Sequence, residues 1–251
     1  LIGLDRRSVE GASGLVVLDK SAELLLKEIY NIPGVPLKII RTCTDISLYS
    51  SKDKKASTLN KGIFKFVFLG GAIIPYRPDL ALMFVSELIK NGLNCHIDFI
   101  NERDHEQIHL AAKEVNFPID KINVYKLDKS KIPIALLQFD CGLIFNNPSR
   151  WRRVSSPTKF GEYLAAGLHT VALNGISVLE EFSESTSCVD LVSEHDLYVG
   201  LPTDKLDRIV ENIRTPNRRD KCQELARREF SLEIAGNIYA ELYSEIEVQI
   251  R

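Results

Sequence analysis

The chain has 251 residues, of which 45% are hydrophobic and 26% are charged, and its formal net charge is −2 at pH 7. These values lie in the ordinary globular range, so a core of normal size can form without disulfides or structural metals. The net charge excludes a global attraction to nucleic acid or to an anionic membrane, and any basic site must therefore be local. We expect no nucleic-acid partner.

The cysteines are scattered and odd in number, and no two of them form a C-x-x-C pair. This usage predicts buried or partly buried thiols in a reducing compartment. The sequence shows no apolar run as long as a membrane span and no secretory signal, so we expect a cytoplasmic protein. Its first residue is Leu1 rather than Met, which suggests a fragment of a longer chain.

The first part of the chain predicts two short strands, Leu15 to Leu18 and Leu37 to Ile40, with a helix from Ser21 to Tyr30 between them. The following stretch, from Asp45 to Gly62, is polar and rich in Ser, Lys and Thr. This composition predicts an interdomain linker.

After the linker, apolar runs of strand length alternate with helical patterns. The predicted strands are 64–69, 94–100, 122–127, 140–145 and 170–173. The predicted helices are 78–91, 102–116, 131–138, 157–166, 203–213, 218–229 and 231–247. The alternation predicts an α/β fold, a Rossmann-like parallel sheet with helices on both faces. Such sheets bind ligands at the carboxyl ends of their strands, near the point where strand order reverses.

The segment from Asn146 to Gly167 carries the most informative pattern. It lies between a predicted strand and a predicted helix, and its loop of about ten residues exceeds the usual two to six. Ser156 suits the N-cap of the helix and Pro157 its first position, while Gly167 suits its end. Lys159 then falls in the first helical turn.

Cations cluster around this predicted helix start, because Arg150, Arg152 and Arg153 come just before it. These arginines, Lys159 and the helix N-terminus would repel one another unless an anion lay among them, and a phosphate or pyrophosphate is the natural guest. Glu162 follows Lys159 by one turn on the same side and can accept hydrogen bonds from ribose hydroxyls. The same residues are also compatible with a solvated basic loop beside an ordinary amphipathic helix.

Gly70 and Gly71 follow the first strand after the linker, where glycine lets the backbone approach a ligand closely. A tight turn without a ligand explains them equally well, since the segment matches neither G-x-G-x-x-G nor a P-loop. Arg77 precedes Pro78 at a predicted helix start and is a candidate phosphate ligand, with an exposed surface arginine as the alternative.

The run from 155 to 176 resembles the donor-site segment of glycosyltransferase family 4, which has the GT-B fold. The positions that carry the resemblance are Ser156, Pro157, Lys159, Glu162, Tyr163, Ala165 and Gly167. It covers residues 64–247 in all and is specific in 156–167. The resemblance implies that 1–48 is the end of an N-terminal acceptor domain, 49–62 the linker and 63–251 the donor-binding domain with its C-terminal helices.

The resemblance implies transfer of a hexose-like sugar from a nucleoside-diphosphate sugar to a glycan or other acceptor, with retention at the sugar carbon, in cell-surface glycan biosynthesis. It implies no metal and no cofactor beyond the donor itself. Lys159 and Arg77 are then the catalytic cations. The donor-binding residues are expected to be Glu162, Ser156, Thr158, Gly70, Gly71 and Arg153.

A donor-binding half of this kind implies a missing N-terminal domain as a partner, and peripheral membrane association is a further expectation for the full enzyme. The isolated fragment is expected to bind a nucleotide-sugar, while its capacity for transfer stays open. The family's second glutamate, eight positions before Glu162, is replaced by Val154, and its Pro-Val by His169 and Thr170. These departures leave a non-catalytic nucleotide-sugar-binding module as an alternative.

A second alternative comes from the stretch His105 to His109, which matches the zinc motif H-E-x-x-H. A zinc hydrolase needs a third ligand, but the remaining histidines lie in different predicted elements, and Glu114 is too close to His109 to match the usual spacing. The predicted buried stripe of this helix is Ile108, Ala111, Ala112 and Val115, which places the histidines at its flanks and favours a chance match.

Overall fold

The computed structural model describes residues 2–30, 32, 34–49, 62–147 and 149–250. The strands in this part of the chain are β1 Leu15–Val17, β2 Leu37–Ile39, β3 Ile63–Leu69, β4 Asn94–Ile100, β5 Ile122–Tyr125, β6 Cys141–Ile144, β7 His169–Leu173 and β8 Val189–Val192. The helices are α1 Ile2–Glu10, α2 Lys20–Ile29, α3 Pro78–Lys90, α4 His105–Glu114, α5 Ile132–Leu136, α6 Arg150–Arg153, α7 Thr158–Ala165, α8 Ser177–Ser185, α9 Glu194–Val199, α10 Thr203–Arg214, α11 Arg218–Phe230 and α12 Leu232–Ile250. None of these helices is long and apolar enough to cross a bilayer.

The main sheet has six parallel strands in the order β5-β4-β3-β6-β7-β8, and β1 and β2 form a separate parallel pair. From β3 the chain adds β4 and β5 on one side, then crosses to the other side of β3 with β6 and continues to β8. Strand order therefore reverses between β3 and β6. The carboxyl ends of these two strands form the switch point at which open α/β sheets bind their ligands.

The central strand β3 is buried on both faces because its side chains are almost all apolar. Phe64, Phe66 and Phe68 belong to one core, which also contains residues of α3, α4, α9 and α10. Val67 and Leu69 belong to a second core, together with residues of α5, α7, α8 and α11. Since successive strand residues point to opposite faces, such a strand requires a helix layer on each side. The predicted α/β fold with helices on both faces is confirmed.

Every predicted strand is present, with its ends within two residues of the prediction. The largest error at the start of a predicted helix is at α4, which begins at His105 rather than Glu102. The side chain of Asn101 accepts hydrogen bonds from the backbone N–H groups of Arg103 and Asp104, at 2.7 and 2.6 Å, and these bonds hold a turn where the helix was predicted.

Several elements were not predicted from the sequence, namely α1, α6, α8, β8 and α9. Strand β8 was missed because Asp190 interrupts its apolar run, yet this aspartate is buried and paired inside the sheet.

The prediction for the cysteines is confirmed as far as burial is concerned, because all five are free thiols and all except the partly buried Cys43 are buried.

The amino-terminal part of the chain packs against α8 and α11. The N–H of Thr44 donates to the carbonyl of Phe230 at 2.7 Å. Arg41 forms ion pairs with Glu181 at 2.6 Å and with Glu229 at 3.1 Å. Residues 50–61 of the predicted linker lie outside the described residues, so the division into an acceptor remnant, a linker and a donor domain stays a prediction.

His169 begins β7 and is fully buried, and its Nε2 atom lies 3.1 Å from Oδ2 of Asp190 in the neighbouring strand. Arg208 and Asn212 of α10 complete the surroundings of this carboxylate, at 3.1 and 2.8 Å. The polar residue at the start of β7, a departure from the family pattern, is thus one half of a buried pair that joins β7 to β8. A buried charge is tolerated only when it is paired in this way.

The Asp190 carboxylate should make the stability of the protein depend on acid pH. Burial raises its pKa, but the contacts with His169, Asn212 and Arg208 outweigh burial and lower the pKa below the ordinary value. A lowered pKa contributes stability above the unfolded-state pKa of about 3.9 and loses it as the pH falls through the folded-state pKa. In urea unfolding measured from pH 6 down to pH 3, we expect a shallower loss of stability for Asp190→Asn than for the unsubstituted protein. Equal slopes would show that this pair does not contribute to the acid sensitivity.

Candidate functional site

The carboxyl ends of the strands around the switch point border two adjoining cavities. The larger, of about 490 Å³, lies at the ends of β3, β4 and β5, and the smaller, of about 200 Å³, lies between β3 and β6. Leu69, Tyr76 and Lys159 line both, so the two cavities are lobes of one cleft. A groove of about 900 Å³ between α3 and α9 is more voluminous but lies away from these strand ends. The position at the switch point makes the cleft the candidate ligand site.

Tyr163 of α7 ties together the two strands that flank the switch point. Its hydroxyl accepts a hydrogen bond from the N–H of Leu69 at 3.0 Å and donates to the carbonyl of Leu143 at 3.3 Å. Burial raises the pKa of this fully buried hydroxyl, which keeps it protonated as a donor. The ring has room because Gly142 in β6 has no side chain, and a Cβ there would lie 2.3 Å from Tyr163 Cδ2. Tyr163 therefore fixes the position of α7 at the cleft.

The first turn of α7 carries Lys159, as predicted, and no side chain caps this helix start. The Nζ atom of Lys159 lies 3.0 Å from Oε2 of Glu162, and the two side chains are 33% and 25% exposed. Both groups therefore remain partly open to solvent, and Lys159 lines both lobes. The prediction that the lysine and the glutamate share one side of the helix is confirmed.

Ser156 is not the N-cap of α7, contrary to prediction, since Pro157 occupies that position. Ser156 is buried, and its Oγ atom accepts from the N–H of Thr42 at 3.1 Å while its carbonyl accepts from the hydroxyl of Thr42 at 2.6 Å. The N-cap prediction failed because this serine bonds to the amino-terminal segment. Gly167 does end the helix, with a φ of +74° that favours glycine.

Arg152 of α6 lines the smaller lobe together with Thr158. In the described part of the chain, no carboxylate lies within ion-pair distance of Arg152. Arg153, the residue predicted from the sequence, is exposed and lines neither lobe of the cleft. Its backbone carbonyl accepts a hydrogen bond from the hydroxyl of Ser177. The structure thus brings Thr158 and Arg152 to Lys159, but not Arg153.

The Arg77 side chain does not line the cleft and is paired with two carboxylates elsewhere. Its guanidinium forms ion pairs with Asp79 at 2.7 Å and Glu194 at 2.9 Å, and donates to Asn147 at 3.1 Å. Hydrogen bonds to Asp79 raise the pKa of Arg77 against the opposing effect of burial, with Glu194 adding to the rise. Arg77 is absent from the lining of both lobes. A guanidinium neutralised by two carboxylates is a poor phosphate ligand, and the geometry does not support the catalytic role predicted for Arg77.

Gly70 and Gly71 line the larger lobe. Neighbouring side chains occupy the space that a side chain on either glycine would fill. A Cβ on Gly70 would lie 2.7 Å from Cε1 of Tyr76, and one on Gly71 would lie 3.0 Å from Oδ2 of Asp104. The two glycines therefore let the loop after β3 pack against Tyr76 and the loop after β4. Their backbone still forms one wall of the cleft.

The larger lobe contains polar residues that the sequence interpretation missed. They are Asn101, Glu102, Arg103, Asp104, Lys126, Asp128 and Lys129. All of them follow β4 or β5, at the same edge of the sheet as Gly70 and Lys159. The rule that ligands bind beyond the carboxyl ends of parallel strands could have identified them, since both strands were predicted to within two residues.

The histidines of the H-E-x-x-H stretch lie on α4 as predicted, with Ile108, Ala111 and Ala112 buried and Val115 partly buried. A ring nitrogen of His105 lies 3.0 Å from the carbonyl oxygen of Asn101. Among the described residues, no group of three or more His, Cys, Asp or Glu side chains is placed to hold a metal ion. The structure therefore gives the zinc hypothesis no support.

Solved structures share this architecture. HepE from Anabaena, solved with UDP and glucose, matches 97% of the chain at 14% identity and a TM-score of 0.69. Sucrose-phosphate synthase from Thermosynechococcus elongatus matches 99% at 14% identity and a TM-score of 0.69. TarM from S. aureus matches 96% at 13% identity and a TM-score of 0.68. The fold of the chain is that of these GT-B glycosyltransferases.

The chain spans only part of these proteins, namely 66% of HepE, 62% of the synthase and 45% of TarM. No protein-family profile and no curated protein sequence matches it. At 13–14% identity the likeness establishes the fold and leaves the chemistry to the residues of the cleft.

Proposed function

We propose that the chain is the donor-binding part of a glycosyltransferase that uses a nucleoside-diphosphate sugar. The observation that carries this proposal is the position of Lys159. It stands in the uncapped first turn of α7, lines both lobes of the cleft, and has the Glu162 carboxylate 3.0 Å away. A cation at a helix N-terminus is unfavourable on its own and becomes favourable when it holds a diphosphate.

The proposed chemistry places the diphosphate between Lys159 and Arg152. As the bond between the sugar carbon and the diphosphate breaks, negative charge builds up on the leaving phosphate. Fixed cations directed at this charge stabilise the transition state more than the ground state. Glu162 is proposed to accept hydrogen bonds from the ribose hydroxyls, a role for which an acidic residue next to a phosphate site is suited.

The two lobes differ in size in a way that suits such a donor. The smaller, of about 200 Å³, is proposed to hold the sugar, and the larger, of about 490 Å³, the nucleoside. Lys159 stands where they meet, which is where the diphosphate of an extended donor would lie. HepE, which shares the fold, was solved with UDP and glucose, and this supports the assignment to a nucleotide-sugar enzyme.

Membership of glycosyltransferase family 4, with retention of stereochemistry and a glycan acceptor, is part of the proposal and rests on the resemblance in 156–167. Within that stretch, Lys159 lines both lobes, Glu162 is its ion-pair partner, and the Tyr163 hydroxyl accepts from the N–H of Leu69 at the end of β3. The identity of the acceptor is left open, as is the role of a further domain that would bind it.

A thermal-shift screen with nucleoside diphosphates and their sugar conjugates tests the proposal. A ligand at 100 times its dissociation constant stabilises the native state by about 2.7 kcal/mol. For a chain of this size we expect the melting temperature to rise by about 2–4 °C for each kcal/mol. The unphosphorylated nucleosides serve as matched ligand controls and should produce much smaller shifts. Absence of a shift with every nucleoside diphosphate would count against the proposed function.

Binding alone does not separate a transferase from a binding module, so a second measurement is needed. A transferase site stabilises the leaving diphosphate and should therefore hydrolyse a bound nucleotide-sugar slowly when no acceptor is present. Release of nucleoside diphosphate above the rate seen with Lys159→Ala supports transfer chemistry. Tight binding with no release supports the non-catalytic module.

A further inference from the structure

The cations around the larger lobe are not equally available to a ligand. Lys126 lies 3.5 Å from Glu102, and Lys159 lies 3.0 Å from Glu162. By contrast, no carboxylate in the described part of the chain lies within 4 Å of the Arg103 guanidinium, which borders the same lobe. An unneutralised arginine facing a cavity beside other cations indicates a place for an anion.

The backbone that carries Arg103 is held by one buried side chain, Asn101 at the end of β4. Its Nδ2 atom donates to the carbonyl of Gly70 at 2.6 Å, and its Oδ1 atom accepts from the N–H groups of Arg103 and Asp104. The carboxylate of Asp104 in turn accepts from the N–H of Ala72 at 2.9 Å. These hydrogen bonds join the loops after β3 and β4 to each other, and Arg103, in the loop after β4, lines the larger lobe.

We propose that Arg103 binds the diphosphate of the donor from the wall opposite α7, and that Asn101 is the positioning residue that holds it there. This inference rests on the proposed function, since it assigns a partner to the same ligand. It supplies the cation that the loop after β3 lacks, because Gly70 and Gly71 carry no side chain and Arg77 is neutralised by Asp79 and Glu194.

Lys129 is the other cation of the larger lobe without a carboxylate within ion-pair distance among the described residues. It begins a three-residue 3-10 helix, and in the described part of the chain no side-chain hydrogen bond fixes its backbone as Asn101 fixes that of Arg103. Arginine also presents two parallel N–H groups that match two phosphate oxygens, whereas a lysine ammonium is a mobile point charge. Arg103 is thus the better diphosphate ligand, and Lys129 is the matched control.

The test compares the affinities of the full chain for UDP, UMP and uridine, measured by calorimetry. We expect Arg103→Ala to weaken UDP binding by roughly 10- to 100-fold, as for loss of a charge-assisted hydrogen bond, and to leave uridine binding unchanged. Arg103 and Lys129 are both exposed. Lys129→Ala should change UDP affinity by no more than about threefold, because no side-chain hydrogen bond among the described residues fixes its backbone at the lobe. An unchanged UDP affinity in Arg103→Ala overturns the inference. If Lys159→Ala still weakens UDP binding by roughly 10- to 100-fold in that case, the proposed function survives the failure of this inference.

The positioning role of Asn101 needs a readout that a loss of stability alone cannot produce. If Asn101 acts through Arg103, then Asn101→Ala should weaken UDP binding in the unsubstituted protein but have no further effect in the Arg103→Ala background. Affinity for uridine should stay constant in all four proteins of this cycle, which also confirms that they are folded. Additive effects, or a parallel loss of uridine affinity, overturn the positioning role. If the unsubstituted chain binds none of the nucleoside diphosphates, the inference and the proposed function fail together.

Discussion

Lys159→Ala is expected to weaken the binding of a nucleoside diphosphate by roughly 10- to 100-fold and to slow hydrolysis of the nucleotide-sugar by a further 10²- to 10³-fold. The substitution removes the cation that both lobes share and leaves the Glu162 carboxylate, previously 3.0 Å from it, unpaired beside the ligand phosphates. Affinity is measured by calorimetry with UDP, and hydrolysis by release of UDP from a UDP-sugar.

The control for this prediction is Lys90→Ala, because Lys90 forms a similar pair with Glu87, three residues away on a helix, at 2.7 Å. That pair lies on α3 and borders neither lobe of the cleft. We expect its loss to change stability by about 0.2–0.5 kcal/mol and affinity not at all. Equal affinities in the two lysine variants would remove the electrostatic basis of the proposed site.

Substitution of Glu162 tests the same proposed site by a second, independent measurement, the preference for an intact ribose. Glu162→Gln should reduce the preference of the protein for UDP over its 2′- and 3′-deoxy analogues, because an amide is a weaker acceptor for a ribose hydroxyl than a carboxylate. The Lys159 variant should retain that preference while binding all three ligands weakly. A full ribose preference in Glu162→Gln would show that another residue contacts the pentose.

Gly142→Ala is expected to destabilise the protein by about 3 kcal/mol, at the upper end of the usual cost of overpacking a core. The added Cβ would lie 2.3 Å from Cδ2 and 2.4 Å from Cγ of Tyr163, whose ring is fully buried and has nowhere to move. Displacing this ring also strains the hydroxyl contacts with Leu69 and Leu143 at the switch point. The free energy of unfolding is measured in urea, and nucleotide affinity should fall with it.

A matched glycine variant shows whether this loss comes from the site or from glycine substitution in general. Gly236 lies in α12, and a Cβ there would meet no other atom within 4 Å. Gly236→Ala should therefore stabilise the protein by about 0.5–1 kcal/mol through helix propensity. If Gly142→Ala is as stable as the unsubstituted protein, the close packing of Tyr163 against β6 is not important for the fold.

The sequence alone determined the elements whose signals are local. Helix α7 and its lysine and glutamate could be predicted because a proline, a glycine and an i,i+3 spacing are all contained in the eleven residues 157–167. The strands of the sheet were found for the same reason, except β8, whose buried Asp190 finds its partner, His169, in another strand. Local propensity and periodicity cannot predict that a buried polar residue will find its partner in another element of the fold.

Only the tertiary structure decided which charged groups reach the cleft. Arg77 and Arg153 were predicted to do so from their places beside helix starts, yet the structure leaves Arg77 with Asp79 and Glu194, and presents Arg152 in place of Arg153. Ser156 bonds to the distant Thr42 instead of capping α7. Arg103 lines the larger lobe from a loop that the Asn101 side chain joins to the loop after β3. The direction of a long side chain depends on competition among all groups within a few ångströms, and the pairing of strands decides which groups those are.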